Sequence, residues 1–150
     1  MAARLGSTKF AQVIEEIIKL TTEADSLVEF GTTSESRGGS QPYTRIGEIG
    51  DAFMPLSIES MAWQREAGAI SVMHFYIQEG DLMMDPMVVI TPEGEPLQYQ
   101  MDGVVGHFTR FNEGERGQYK TELIAFLDTW AVNIRRIWLP MAKEKAHAAA

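Results

Sequence analysis

The sequence predicts an α+β fold: an antiparallel β-meander of about five or six strands packed on an N-terminal helix and a long C-terminal helix. Three observations predict it. Apolar residues recur at helical spacing near both ends of the chain. Between them, from Tyr43 to Phe111, the apolar period is two. The turn signals in that stretch are too close together for any link to hold a crossover helix, so successive strands must pair as hairpins.

Residues 8–28 form the first expected helix. Phe10, Val13, Ile14, Ile17, Ile18 and Leu20 share one face, with Gln12, Glu15, Glu16 and Lys19 opposite. Ser7 or Thr8 can cap it, Thr21 and Thr22 weaken its middle, and Gly31 ends it. Residues 31–42, "GTTSESRGGSQP", carry no large apolar side chain and read as a flexible loop.

The sheet occupies 43–111. Strands are expected near 43–48, 55–63, 69–78, 82–91, 96–101 and 106–111, separated by "GD", "REAG", "EGD", "TPEGEP" and "DG". A second helix follows over 117–139. Its apolar stripe is Leu123, Phe126, Leu127, Trp130, Ile134, Ile137 and Trp138. Early acids and late arginines suit the helix dipole, and Pro140 is expected to end or kink the helix. Residues 143–150 read as a disordered tail.

The chain of 150 residues suits a single domain, 1–150. At 45% hydrophobic and 23% charged it has the composition of a soluble globular protein. It contains no cysteine, which excludes disulfides, thiolate metal sites and thiol nucleophiles. The N-terminus shows no signal-peptide core, and no apolar run reaches the roughly 18 residues of a membrane span. A cytoplasmic location without membrane contact is expected.

Charge narrows the partners. The net charge of −8 argues against direct nucleic-acid binding, which needs a basic face. Its distribution is uneven. No lysine or arginine lies between Arg65 and Arg110, whereas Glu66, Glu79, Asp81, Asp85, Glu93, Glu95 and Asp102 all do. A solvated sheet face explains such a pattern; so does a surface that meets a cationic partner.

The stretch "HFYIQEGDLMMDP", His74–Pro86, holds the densest polar chemistry. Strand alternation places His74, Tyr76 and Gln78 on one face, and Met73, Phe75 and Ile77 on the other, the expected core face. A Glu79-Gly80 turn pairs Gln78 with Asp81, Tyr76 with Met83 and His74 with Asp85. A Gly80-Asp81 turn moves each partner by one. His74 with Asp85 could form a general base and its orienting carboxylate. His74, Asp81 and Asp85 could hold a metal, although His107 and His147 are the only other histidines. A polar hairpin without function is the simplest alternative to both. Asp85-Pro86 marks an edge strand or a bulge. No phosphate-binding glycine loop and no nucleophile elbow is present.

The segments "FMPLSIESM", "ISVMHFYIQEGDLMMDPMVVI", "EPLQYQMD" and "LIAFLDTWAVNI" resemble an uncharacterised domain family carried by plasmids, phages and integrative elements. Its pattern has a histidine before an aromatic strand, a Gln-Asn-Gly-Asp-Leu-Met turn, an Asp-Pro, and a helix with Phe-x-x-x-Trp-x-x-Asn. Phe126, Trp130 and Asn133 match the helix pattern; Glu79 replaces the asparagine. An asparagine there would favour the Glu79-Gly80 register. The resemblance implies no catalytic residue and no cofactor. It implies a setting among accessory genes of mobile elements, where inhibitors of host defence and small regulators are common.

The expected function is therefore a non-enzymatic acidic accessory protein, an inhibitor or DNA mimic among the options. It would bind a protein partner with a cationic surface through His74, Tyr76, Gln78, Glu79, Asp81 and Asp85. The alternatives are a metal-dependent hydrolase using His74, Asp81 and Asp85, and a self-associating structural protein that dimerises through its Asp-Pro strand or aromatic helix.

Overall fold

The computed structural model describes residues 4–32, 42–61, 68–103 and 106–149. Helix α1 spans Thr8–Thr21. The Ser7 hydroxyl caps it by accepting from the Phe10 amide at 3.1 Å. Phe10, Val13, Ile14, Ile17 and Ile18 are fully buried, as the periodicity requires. The expected helix over 8–28 is divided in two. The Thr21 and Thr22 hydroxyls bond back to the carbonyls of Ile17 and Ile18 at 2.8 Å, and Thr22 turns to extended backbone. The chain then starts α2, Leu27–Thr32, where the Leu27 amide donates to Glu15 at 3.0 Å. Residues 33–41, most of the loop expected over 31–42, lie outside the described residues.

Six strands follow: β1 (Tyr43–Ile46), β2 (Leu56–Met61), β3 (Ala69–Gln78), β4 (Asp81–Ile90), β5 (Pro96–Met101) and β6 (His107–Arg110). They pair antiparallel in sequence order, β1 to β6, with no crossover. Of the two registers open to the β3–β4 hairpin, the structure adopts the Glu79-Gly80 turn. Gln78 faces Asp81 and Tyr76 faces Met83. Both loop residues have positive φ, 52° at Glu79 and 87° at Gly80, which matches the right-handed twist of the flanking strands.

Strand β4 is internal to the sheet, so Asp85-Pro86 is not an edge. The ladder shifts between Met73 and Phe75, leaving His74 opposite both Asp85 and Pro86 in a bulge, with the Asp85-Pro86 peptide cis. The dimer expected through an Asp-Pro edge strand thus has no sheet edge at Asp85-Pro86 itself.

Helix α3 runs from Gln118 to Ala149, well past the expected end at 139. Its 32 residues extend about 48 Å, enough to cross a six-stranded sheet. Phe126 meets Tyr99 on β5 near one end, and Lys145 donates to the Arg45 carbonyl on β1 near the other. Pro140 lies on the exposed side and does not stop the helix. Beyond it, Ala142 is fully buried, so residues 143–149 continue an anchored helix rather than a disordered tail. No described helix is long and apolar enough to cross a membrane.

The main core lies between α1, α3 and one sheet face. Ile46, Leu56, Ile58, Ile70, Val72, Val88 and Ile90 meet Ile14, Ile17, Leu127, Trp130 and Ile134 there. A smaller cluster gathers Ala69, Met87, Val89 and Leu97, with Met61, Met73 and Met84 at its margin.

Candidate functional site

Ile70, Val72 and His74 have the same parity on β3, and the first two pack in the helix-covered core. His74 therefore points at α3, and only 5% of it is exposed. This reverses the expected faces: Met73, Phe75 and Ile77 lie on the side away from α3. Helix α3 supplies what makes the burial tolerable. The Trp130 indole N–H donates to His74 Nε2 at 2.9 Å. With Nε2 accepting, the ring proton sits on Nδ1, which donates to the Pro55 carbonyl at 3.1 Å. The ring also lies 4.2 Å from the Trp138 centroid and 5.2 Å from that of Trp130. Burial pushes the His74 pKa down to about 4, with the Pro55 bond acting weakly against it. His74 is thus a neutral, fully bonded member of the core.

This geometry removes the metal reading. Both ring nitrogens of His74 are engaged, and Asp81 lies at the turn, seven positions along from His74. Among the described residues, no three His, Asp or Glu side chains gather as a metal site requires. It also removes the general base: His74 holds Pro55 and Trp130, not Asp85. His107 belongs to a separate cluster, with Tyr119 Oη at 2.5 Å and Thr109 Oγ1 at 3.0 Å from its Nε2.

The other expected site residues form a different feature. Pairing of β2 with β3 stops at His74, and pairing of β5 with β4 stops at Met87. Residues 75–84 therefore continue as a two-stranded ribbon past both neighbours. At its base, Asp102 bonds Met84 through both its backbone amide, at 2.8 Å, and its carboxylate, at 3.0 Å. At its tip Gln78, Glu79 and Asp81 are exposed, while Tyr76 is half-buried. Ile77 and Leu82 face each other across the ribbon, at 46% and 45% exposure. Asp85 is half-buried in the bulge.

The acidic segment is divided by this topology. Glu79, Asp81, Asp85 and Asp102 belong to the ribbon end of the sheet. None of them forms an ion pair among the described residues. Glu93 and Glu95 lie at the opposite end, in the β4–β5 turn. Glu95 is buried and accepts from Lys120 Nζ at 2.6 Å and from the Gly114 amide at 2.7 Å. Glu66 lies outside the described residues. The expected single acidic platform is therefore a local acidic arm.

A cleft of about 200 Å³ opens between α3 and the base of this arm. His74, Trp130 and Trp138 form its floor; Pro86 lines it from the sheet, and Phe126, Thr129 and Asn133 from α3. Trp138 and Thr129 were not singled out as site residues. The signal for Trp138 was present, because it follows Trp130 by eight residues and so shares its helix face. Thr129 carries no such signal. Tyr99 extends the aromatic surface, 6.3 Å from Phe126. Burial, together with Tyr119 and Asp85 nearby, raises its pKa above the usual phenol value.

An antiparallel meander crossed by one long helix, with a His–Trp core and an acidic ribbon, defines the class of domain. The family model described as "Domain of unknown function (DUF6908)" matches residues 12–136, and the chain belongs to that family. No curated protein and no solved structure matches it.

Proposed function

We propose that this protein is a non-enzymatic interaction module whose β3–β4 ribbon recognises a cationic surface on a partner protein. The observation that carries this reading is the ribbon itself. It extends past the rest of the sheet with two exposed apolar side chains, Ile77 and Leu82, beside the carboxylates of Glu79 and Asp81, which form no ion pair among the described residues. Unpaired acids speed encounter with a basic surface, and exposed apolar groups lengthen the contact once made. The free edges of a ribbon also offer backbone groups for strand pairing. A DNA mimic needs carboxylates along an extended track. Glu95 held by Lys120 and Glu93 at the far end favour a local contact instead. In the mobile-element setting that the sequence resemblance implies, such an arm suits an inhibitor that occupies a basic groove of a host protein.

The test is capture from host lysate by immobilised protein, comparing the wild type with the double variant Glu79→Lys/Asp81→Lys. Both positions are exposed, so the fold is retained. Each reversed exposed contact is worth up to about 1 kcal/mol, so recovery of the salt-sensitive partner should fall roughly tenfold. Undiminished recovery contradicts the assignment to this arm.

A further inference from the structure

The cleft beneath the arm has a floor without free polar groups. Both nitrogens of His74 are bonded, the Trp130 N–H is held by His74, and the Trp138 N–H donates to the Met54 carbonyl at 3.0 Å. A polar or charged group entering it would lose water and gain no hydrogen bond from the floor. An apolar group would lose nothing. The cleft volume of about 200 Å³ has room for one large side chain. Its two lips differ in charge. On the sheet side Asp85, which has no ion-pair partner among the described residues, lies near enough to Tyr99, the neighbour of Phe126 at the mouth, to act on its phenol. On the helix side Arg136 donates to Asn133 Oδ1 at 3.3 Å.

We infer that the cleft takes a single aliphatic side chain from the partner's cationic segment, with lysine or arginine flanking that anchor on the Asp85 side only. This rests on the arm reading and names what the arm's partner must carry. Interfaces commonly concentrate their affinity in one apolar anchor seated in a pocket, with charges at the rim. Here the rim is set by the hairpin and the pocket by α3, so the two parts of the contact come from different elements. Five of the residues that carry the sequence resemblance, His74, Pro86, Phe126, Trp130 and Asn133, line this cleft, while those of the turn, Gln78 to Met83, belong to the arm above it. A role in stabilising the fold accounts for the buried histidine and tryptophan. It does not account for Phe126, which is 38% exposed at the cleft mouth.

The experiment uses the full chain, labelled with ¹⁵N, and two synthetic twelve-residue peptides. One carries three lysines on one side of a central leucine; the other has alanine in place of that leucine. Amide shift titrations give both affinities for the wild type, for Thr129→Trp, which fills the mouth from an exposed position, and for Val132→Trp, an exposed control elsewhere on α3. The leucine peptide should bind the wild type at least fivefold more tightly than the alanine peptide. Thr129→Trp should erase that ratio and Val132→Trp should keep it. Equal affinities for the two peptides, both still falling with salt, overturn the anchor and leave the arm standing. Absence of salt-sensitive binding by either peptide overturns the arm and the anchor together.

Discussion

His74 shows how one residue's surroundings decide its chemistry. Its two ring nitrogens are divided between Pro55 and Trp130, and the neutral ring is the only form that fits both. Its folded-state pKa of about 4 lies below the ordinary histidine value of 6.5. The unfolded chain therefore takes up this proton first as pH falls. The contribution is fully present above about pH 6.5 and is lost progressively down to about pH 4. At 1.36 kcal/mol per pH unit that loss is roughly 3 kcal/mol at most. Urea unfolding at pH 7.5 and pH 5 should show it in the wild type. His74→Phe should lower stability at pH 7.5 by about 1–3 kcal/mol, because the Trp130 N–H and the Pro55 carbonyl lose their partner. It should also flatten the difference between the two pH values. An identical pH dependence in the variant would mean that other groups carry the titration. Lys120 makes a second case. It is 2% exposed and bonds both Glu95 and the Glu115 carbonyl. Lys120→Met leaves the buried Glu95 carboxylate without its cation, holding only the Gly114 amide among the described residues, and should cost about 3–5 kcal/mol by urea melt. Adding Glu95→Leu should recover part of that loss.

At the scale of elements, most of the fold was legible in the sequence. The strands lie where period-two alternation and turn residues put them. The residues alone left the hairpin register open, because the Glu79-Gly80 turn asks a glutamate for positive φ; only the asparagine of the resembling family favoured the register that forms. What was not legible depended on contacts between elements. Thr21 and Thr22 were visible as weak points, but the break needed their hydroxyls to find the Ile17 and Ile18 carbonyls. Pro140 looked like a terminus because local rules end helices there. Burial of Ala142 and the bond from Lys145 to β1 carry α3 onward. The face of His74 was misread because both faces of β3 are apolar. The parity of Ile70 and Val72 held the answer, but only the position of α3 makes that side the core. The turns also differ in ways the sequence hides. Gly80 and Gly94 both have positive φ, 87° and 88°. A Cβ at Gly80 meets nothing within 4 Å, whereas one at Gly94 would stand 2.2 Å from the Ser7 carbonyl oxygen. That contact, with the Ser7 amide donating to the Gly94 carbonyl at 3.0 Å, docks the β4–β5 turn on the start of α1. Gly80→Ala should therefore cost about 1–2 kcal/mol from backbone strain alone, and Gly94→Ala at least about 3 kcal/mol. Equal losses in thermal denaturation would show that the docking contributes little.

For the whole molecule, the charge pattern means more once it is placed on the fold. A base-free segment of 44 residues suggested one acidic platform. The meander sends its turns alternately to opposite ends, so the acids part company with them. Glu95 becomes a structural partner of Lys120, and the ribbon end keeps Glu79, Asp81, Asp85 and Asp102. Lys9, Arg135 and Arg136 line the groove between α1 and α3, where Arg135 pairs with Glu16. Under the proposed function, the unpaired acids of the ribbon end would draw a basic partner toward the ribbon before contact. The most direct measurement is an amide shift map of the folded chain titrated with a lysine-rich peptide at low and at raised ionic strength. The account predicts that the salt-sensitive shifts concentrate at residues 75–85 and at Asp102, and fade as salt is added. Shifts dispersed over both ends of the sheet, or centred on the α1–α3 groove, would contradict it.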